Sequence, residues 1–171
     1  MKPGKTIRET FGYLKKNERA RSDAMMLQVG RVVVELSNVE HVLGFMYGML
    51  GDGPPGERWQ YFATKSPNFQ ARLKLLNQAV KAACPPERLP LWEAAHLKLS
   101  GSRSVRNRVA HYGVRQLFTS DRKLFGVELR PPWYLGNAAR RALKIADVRQ
   151  AADELVGATA DLWDFINKIA R

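Results

Sequence analysis

The sequence has little cysteine, little histidine and few acids, and each shortage excludes something. A single cysteine, Cys84, in 171 residues rules out an internal disulfide and a cysteine-built metal site, and it fits a reducing, cytoplasmic compartment. No run of about 20 uninterrupted apolar residues occurs, the length a membrane-spanning helix needs. The most apolar region, Val29 to Leu50, is broken by Arg31, Glu35, Asn38, Glu40 and His41, so no membrane partner is expected. Residues 1–21 (MKPGKTIRETFGYLKKNERAR) carry basic side chains without the apolar core or cleavage site of a secretory signal. A glycine-rich phosphate loop, HExxH and GxSxG are all missing, and with them the common signatures of nucleotide, zinc-peptidase and esterase chemistry. No carboxylate cluster suited to magnesium is visible either, and no metal or other cofactor is expected.

What is present is a chain long enough for one well-cored domain and too short for two ordinary ones. It is 45% hydrophobic and 26% charged, a globular composition. The charge is one-sided: 28 Lys and Arg against 16 Asp and Glu, a net of +12. From Lys98 to Lys144 there are eleven Lys or Arg and two acids, Asp121 and Glu128, so this segment holds nine of the twelve net charges. A basic surface of that kind concentrates polyanions, and nucleic acid is the first partner to consider. Simple solubility with non-specific attraction is the competing reading.

Periodicity organises the rest. Residues 1–21 read as a basic N-terminal arm and 22–171 as one helical domain. Ser22 and Asp23 offer an N-cap. Met25, Val29, Val32, Leu36, Val39, Leu43, Met46 and Leu50 then recur by fours and threes, one stripe on a helix of about 28 residues. Met26, Val33, Val42, Phe45 and Met49 form a second apolar strip beside it. So wide an apolar face predicts burial on both sides within the monomer, or burial of the second strip against a partner. After the turn-rich GDGPPGER comes a short helical segment near Trp59 to Thr64. A second long helix opens at Ser66-Pro67, with Phe69, Leu73, Leu76, Val80 and Ala83 on one face, and CPPERLP stops it. A third runs from about Leu91 to Tyr112, kinked or divided at Ser100-Gly101-Ser102. The pattern then changes to period two. Val114 to Phe118 and Leu124 to Leu129 flank a polar turn and predict a β-hairpin, with Ala142 to Ile145 as a candidate third short strand. Asp147 caps a last helix striped by Val148, Ala152, Leu155, Thr159, Leu162, Ile166 and Ile169. The predicted fold is mainly α: an antiparallel four-helix, up-and-down bundle with a small β insert, about 114–145, between the third and fourth helices.

One stretch carries chemistry. In RSVRNRVAHYGV (103–114), Asn107 and His111 lie four residues apart on one helix face, and Arg103 extends that line. Arg106 is rotated away from His111 with a side chain long enough to reach across the turn, while Val105, Val109 and Tyr112 form the opposite, inward stripe. The bare pattern fits an exposed structural helix end as well as a site. His41 beside Glu40 reads as structural, and His96 has no partner at metal-ligand spacing. Cys84 precedes two prolines without an evident base.

RNRVAH resembles the arginine–polar–x3–histidine signature of HEPN-domain proteins. The order of elements agrees: a long first helix containing VELSNVEHVLGFMYGML, a second with SPNFQARLKLLNQAV, and the motif ending the third. The resemblance spans most of residues 22–171, with the hexapeptide its specific part. It implies an all-helical, dimeric, metal-independent endoribonuclease in which Arg106, Asn107 and His111 are the catalytic set. It further implies a toxin or defence role, for which a neutralising antitoxin protein is a candidate partner. One branch of the family carries tyrosine two residues after the histidine as a target for nucleotide transfer. Gly113 stands there instead, with Tyr112 adjacent to His111, which argues against that mode of silencing.

The chemistry explains the residue types. RNA is cut when its own 2′-hydroxyl attacks the neighbouring phosphorus, and an imidazole can exchange the protons near neutrality. A guanidinium holds the phosphate oxygens with paired donors. One histidine per chain cannot serve as both acid and base, so a twofold homodimer placing two motifs in one cleft is expected. Arg103, Arg108, Arg115, Arg122, Lys123, Arg140 and Arg141 are the candidate contacts to the RNA backbone. Tyr112, Phe118, Phe125, Trp133 and Tyr134 are candidate stacking surfaces, with core packing as the competing use. A bundle that binds nucleic acid or a protein without cleaving anything is the alternative function.

Overall fold

The structure, a computed structural model, describes residues 16–66, 68–121, 124–131 and 142–169. It is mainly helical with one two-stranded antiparallel sheet. Helix α1 covers Lys16–Met49, α2 Pro55–Lys65, α3 Phe69–Ala83, α4 Leu89–Gly101 and α5 Arg103–His111. Strands β1 (Gly113–Phe118) and β2 (Leu124–Arg130) follow, and α6 (Ile145–Ile169) closes the chain. Among the described residues no helix is long and apolar enough to cross a membrane.

Helix α1 is the spine, 34 residues and roughly 50 Å long at 1.5 Å per residue. It already includes the six residues before the expected cap. Lys, Glu, Arg and Ala in 16–21 are strong helix formers, and Ser22, far from capping, is a buried mid-helix residue whose hydroxyl accepts a bond from Gln116 Nε2 at 3.4 Å. So residues 16–21 belong to the helix and not to an arm. The main stripe faces inward as expected: Met25, Val32, Val39, Leu43, Met46 and Leu50 are buried, with Val29 and Leu36 partly so.

The direction of the helices departs from a four-helix count. Tight left-handed turns at Gly51 (φ 88°) and Gly53 (φ 102°) send α2 back along α1. Two glycines on α1 admit it: Pro55 crosses Gly48, and the Trp59 indole covers Gly44 so closely that a Cβ there would fall 2.5 Å from Nε1. Arg58 locks the pair, donating to the Tyr47 carbonyl at 3.2 Å with its guanidinium over the Tyr47 ring. The expected short helical segment is therefore a full return helix, and it adds one pass. The consequence is visible in α1 and α6. Arg31 pairs with Asp153 at 2.8 Å and Phe45 packs on Trp163 at 5.5 Å, so these helices run parallel. In an alternating four-helix bundle the first and last would be antiparallel. Helix α4 runs against α6, with Lys98 beside Asp161 and Trp92 beside Phe165.

The predicted third long helix is divided where the serines and glycine stand. Ser102 turns its hydroxyl back on the Leu99 carbonyl at 2.8 Å, a local bond that bends helices, and α5 resumes at Arg103 with the Arg106 amide donating to the Ser102 carbonyl at 3.0 Å. The second expected helix begins at Phe69, two to three residues late, because Asn68 Oδ1 takes the Ala71 amide at 3.0 Å and is the actual cap. Asp147 does cap α6, though from inside its first turn, accepting the Lys144 amide at 2.8 Å. The β-hairpin forms within a residue of its expected limits. The third strand reduces to one bridge in which Leu129 and Leu143 exchange both backbone bonds at 2.9 Å.

Trp92, fully buried, anchors the α3–α4–α6 side and donates to Asn77 Oδ1 at 2.8 Å. Asn77→Ala leaves that indole N–H buried without a partner, and is expected to destabilise the fold by about 1–3 kcal/mol. A denaturant titration followed by tryptophan emission measures the loss.

Candidate active site

Helix α5 owes its orientation to two anchors: Val109 and Tyr112 are buried, with Val105 partly so. The inward stripe is thus as expected, and it leaves Ser104, Asn107, Ala110 and His111 exposed. At about 100° per residue, Asn107 and His111 project within roughly 40° of each other. Arg106 and Arg108 flank this face on opposite edges. Among the described residues neither the Asn107 nor the His111 side chain has a hydrogen-bond partner, so both are available to a ligand.

Arg106 is held in a small assembly that draws on three helices. Its Nη2 donates to Glu40 Oε1 on α1 at 3.2 Å, and its guanidinium lies over the Phe69 ring of α3, 5.1 Å from the centroid. The other Glu40 oxygen, Oε2, accepts from Arg72 Nη1 at 2.7 Å, and Arg72 Nε donates to the Ser66 carbonyl at 3.2 Å. All three charged side chains are partly exposed, between 23% and 29%. One carboxylate between two guanidiniums leaves an excess positive charge at the surface, and Arg106 uses only one of its five donors on Glu40.

The sequence marks neither Glu40 nor Arg72 as a site residue. Glu40 stands out in the sequence as an interruption of the apolar region and as the neighbour of His41, which is exposed and meets the Trp59 ring edge-on at 5.3 Å. The available signal was Glu40's position seven residues after Val33 and fourteen after Met26, a carboxylate ending an apolar line. Nothing local marks Arg72, because its partner lies 32 residues away.

No family model, curated protein or solved structure matches the chain.

The expected backbone contacts scatter. Arg108 lies on the α6 edge of α5, in a depression shared with Asp147, Gln150 and Glu154, so it does not join Arg106 around one phosphate. Arg115 is exposed on β1, paired across the strands with Glu128. Tyr112 offers no stacking surface, since its ring is 8% exposed in the core and its buried hydroxyl has no hydrogen-bond partner among the described residues. Phe118 is 41% exposed near the hairpin tip. Arg122, Lys123, Trp133, Tyr134, Arg140 and Arg141 lie outside the described residues, as do the side chains of Arg103 and Phe125.

The remaining candidates behave as structural groups. Burial raises the Cys84 thiol pKa, away from a reactive thiolate. Burial lowers that of His96, aided by Lys81 and opposed by Glu93. His96 packs beside the Trp92 ring at 5.7 Å.

Proposed function

We propose that the chain is a HEPN-like, metal-independent endoribonuclease that acts as a cytoplasmic homodimer, in the manner of a toxin or defence effector. The observation that carries this reading is the setting of Arg106. It is oriented by Glu40 above Phe69 with donors left over, on the same short helix that exposes Asn107 and His111. Arg106 would hold the scissile phosphate and its added negative charge, and His111 would move the protons. Asn107 would orient the imidazole or donate to the phosphate. In this reading α1, α3, the α4–α5 pair and α6 are the four long members of the HEPN-like bundle, with α2 added as a return.

The homodimer belongs to the same proposal. Each chain holds one RNRVAH, and Arg106 and His111 of one helix diverge by roughly 140°, so a phosphate gripped by Arg106 is better served by the His111 of a second copy. The second apolar strip of α1 supplies a face for that copy. Of that strip Val42 is buried and Phe45 packs on Trp163, whereas Met26 and Val33, with Leu27 and Val34 beside them, are each more than half exposed. The line Met26–Val33 leads at heptad spacing to Glu40, which places the Arg106 assembly next along the same line.

A binding module that does not cleave RNA is favoured by one observation: the Glu40 ion pair gives Arg106 a structural task that needs no substrate. Incubating the protein with single-stranded RNA in EDTA separates the readings. Fragments ending in 2′,3′-cyclic phosphate are expected. Salt-sensitive binding with intact RNA would favour the binding module and defeat the nuclease.

A further inference from the structure

We propose that Arg72 and Glu40 form a positioning relay for Arg106, so that α3, through a residue distant in sequence from the motif, sets the direction from which the phosphate is gripped. The proposal rests on the endoribonuclease reading, and it assigns work to two residues outside RNRVAH. Its basis is the asymmetry of the contacts. Arg72 is tied twice, to the Ser66 carbonyl at 3.2 Å and to Glu40 at 2.7 Å, whereas Arg106 meets Glu40 through one longer contact at 3.2 Å. Arg72 is therefore the anchor, Glu40 the arm, and Arg106 the group held out.

Arginine has a long, rotatable stem, and a free one samples many directions. Here the Phe69 ring supports the guanidinium from below and Glu40 fixes one edge, leaving the other edges for phosphate oxygens. The cluster also has the right charge. Two guanidiniums on one carboxylate are not neutralised, so an anionic ligand is still attracted. A pair built for stability alone would need one arginine, and the second is the one on the motif helix.

The relay predicts a particular failure. Glu40→Gln removes the negative charge, frees Arg106 and makes the site more positive. Phosphate binding is retained or tightened, and the chemistry suffers because the guanidinium is no longer aimed. Misplacement of a catalytic group by about 1 Å can cost roughly 10²-fold in rate. Removal of a phosphate contact, as in Arg106→Ala, does the reverse to affinity.

The test uses the full chain and the variants Glu40→Gln, Arg72→Ala and Arg72→Lys. Steady-state cleavage of a single-stranded RNA, affinity for a non-cleavable 2′-O-methyl oligonucleotide and the arginine Nε–Hε NMR signals are recorded together. The Arg106 signal is identified by its loss in Arg106→Ala. Expected are a kcat reduced about 10- to 100-fold in Glu40→Gln and Arg72→Ala, an unchanged or lower KM in Glu40→Gln, and partial recovery of kcat in Arg72→Lys. The Arg106 signal is expected to move or broaden in Arg72→Ala, although residue 72 does not touch Arg106. A raised KM with unchanged kcat, or an Arg106 signal indifferent to Arg72, overturns the relay. If the parent leaves RNA intact, the endoribonuclease reading fails by itself, while the NMR and affinity arms still decide whether Arg72 and Glu40 aim Arg106.

Discussion

Replacing His111 with alanine is expected to slow RNA cleavage by about 10²- to 10⁴-fold, the contribution of a positioned proton donor or acceptor. The fold should not notice. His111 is exposed in the last turn of α5 and alanine is the best helix former, so thermal melts of parent and variant should agree within about 0.5 kcal/mol, as for an ordinary surface substitution. RNA binding should survive as well, because the cations that hold the backbone are untouched. The combination of lost cleavage, kept binding and kept stability distinguishes a catalytic histidine from a structural one. A mixing experiment adds the stoichiometry. If each cleft needs the histidines of both chains, an equal mixture of parent and variant retains about a quarter of the parental activity after random reassociation, whereas independent sites would retain half. Cleavage undiminished in His111→Ala would sink the assignment.

What could be read from the sequence was whatever repeats locally. The fours and threes of Met25 to Leu50 placed the inward face of α1, and the alternation around Thr119 to Lys123 placed the hairpin. The valines and tyrosine of 105–112 showed which side of the motif helix faces in. Boundaries that depend on one side chain were missed. Ser22 has the chemistry of an N-cap, but good helix formers precede it and its hydroxyl meets Gln116, 94 residues on. The direction of the helices was missed for a related reason. Pro55–Lys65 reads as the end of a loop and a short helical segment until the bare surface of Gly44 and Gly48 is seen to receive a full helix. The Arg72–Glu40–Arg106 assembly joins residues 32 and 66 apart, and pairing at such range leaves no trace in local spacing. The motif itself was legible, but the group that aims its arginine was not.

The second large effect concerns the partner copy. Val33→Glu is expected to abolish the dimer at working concentrations and the cleavage with it. Val33 is 54% exposed in the middle of the outer strip of α1, between Met26 and Glu40 on the same heptad line. In a twofold interface each substitution occurs twice. The added carboxylates lie in a contact that has to be dry, and next to their counterparts if the two α1 helices cross there. A central interface position costs about 2 kcal/mol or more, so two copies cost about 4 kcal/mol, roughly 10³-fold in Kd. Helicity and melting of the isolated chain should hardly change, since the side chain faces solvent in the monomer. Sedimentation should then report a monomer, and cleavage should return in part as protein concentration is raised toward the new Kd. That recovery cannot come from a damaged fold, because only reassociation depends on concentration. A Val33→Glu chain that stays dimeric and fully active would place the second copy elsewhere and remove the reason for sharing one cleft. A chain that turns monomeric and cuts at the parental rate would show that a single Arg106 and a single His111 suffice, despite the angle between them.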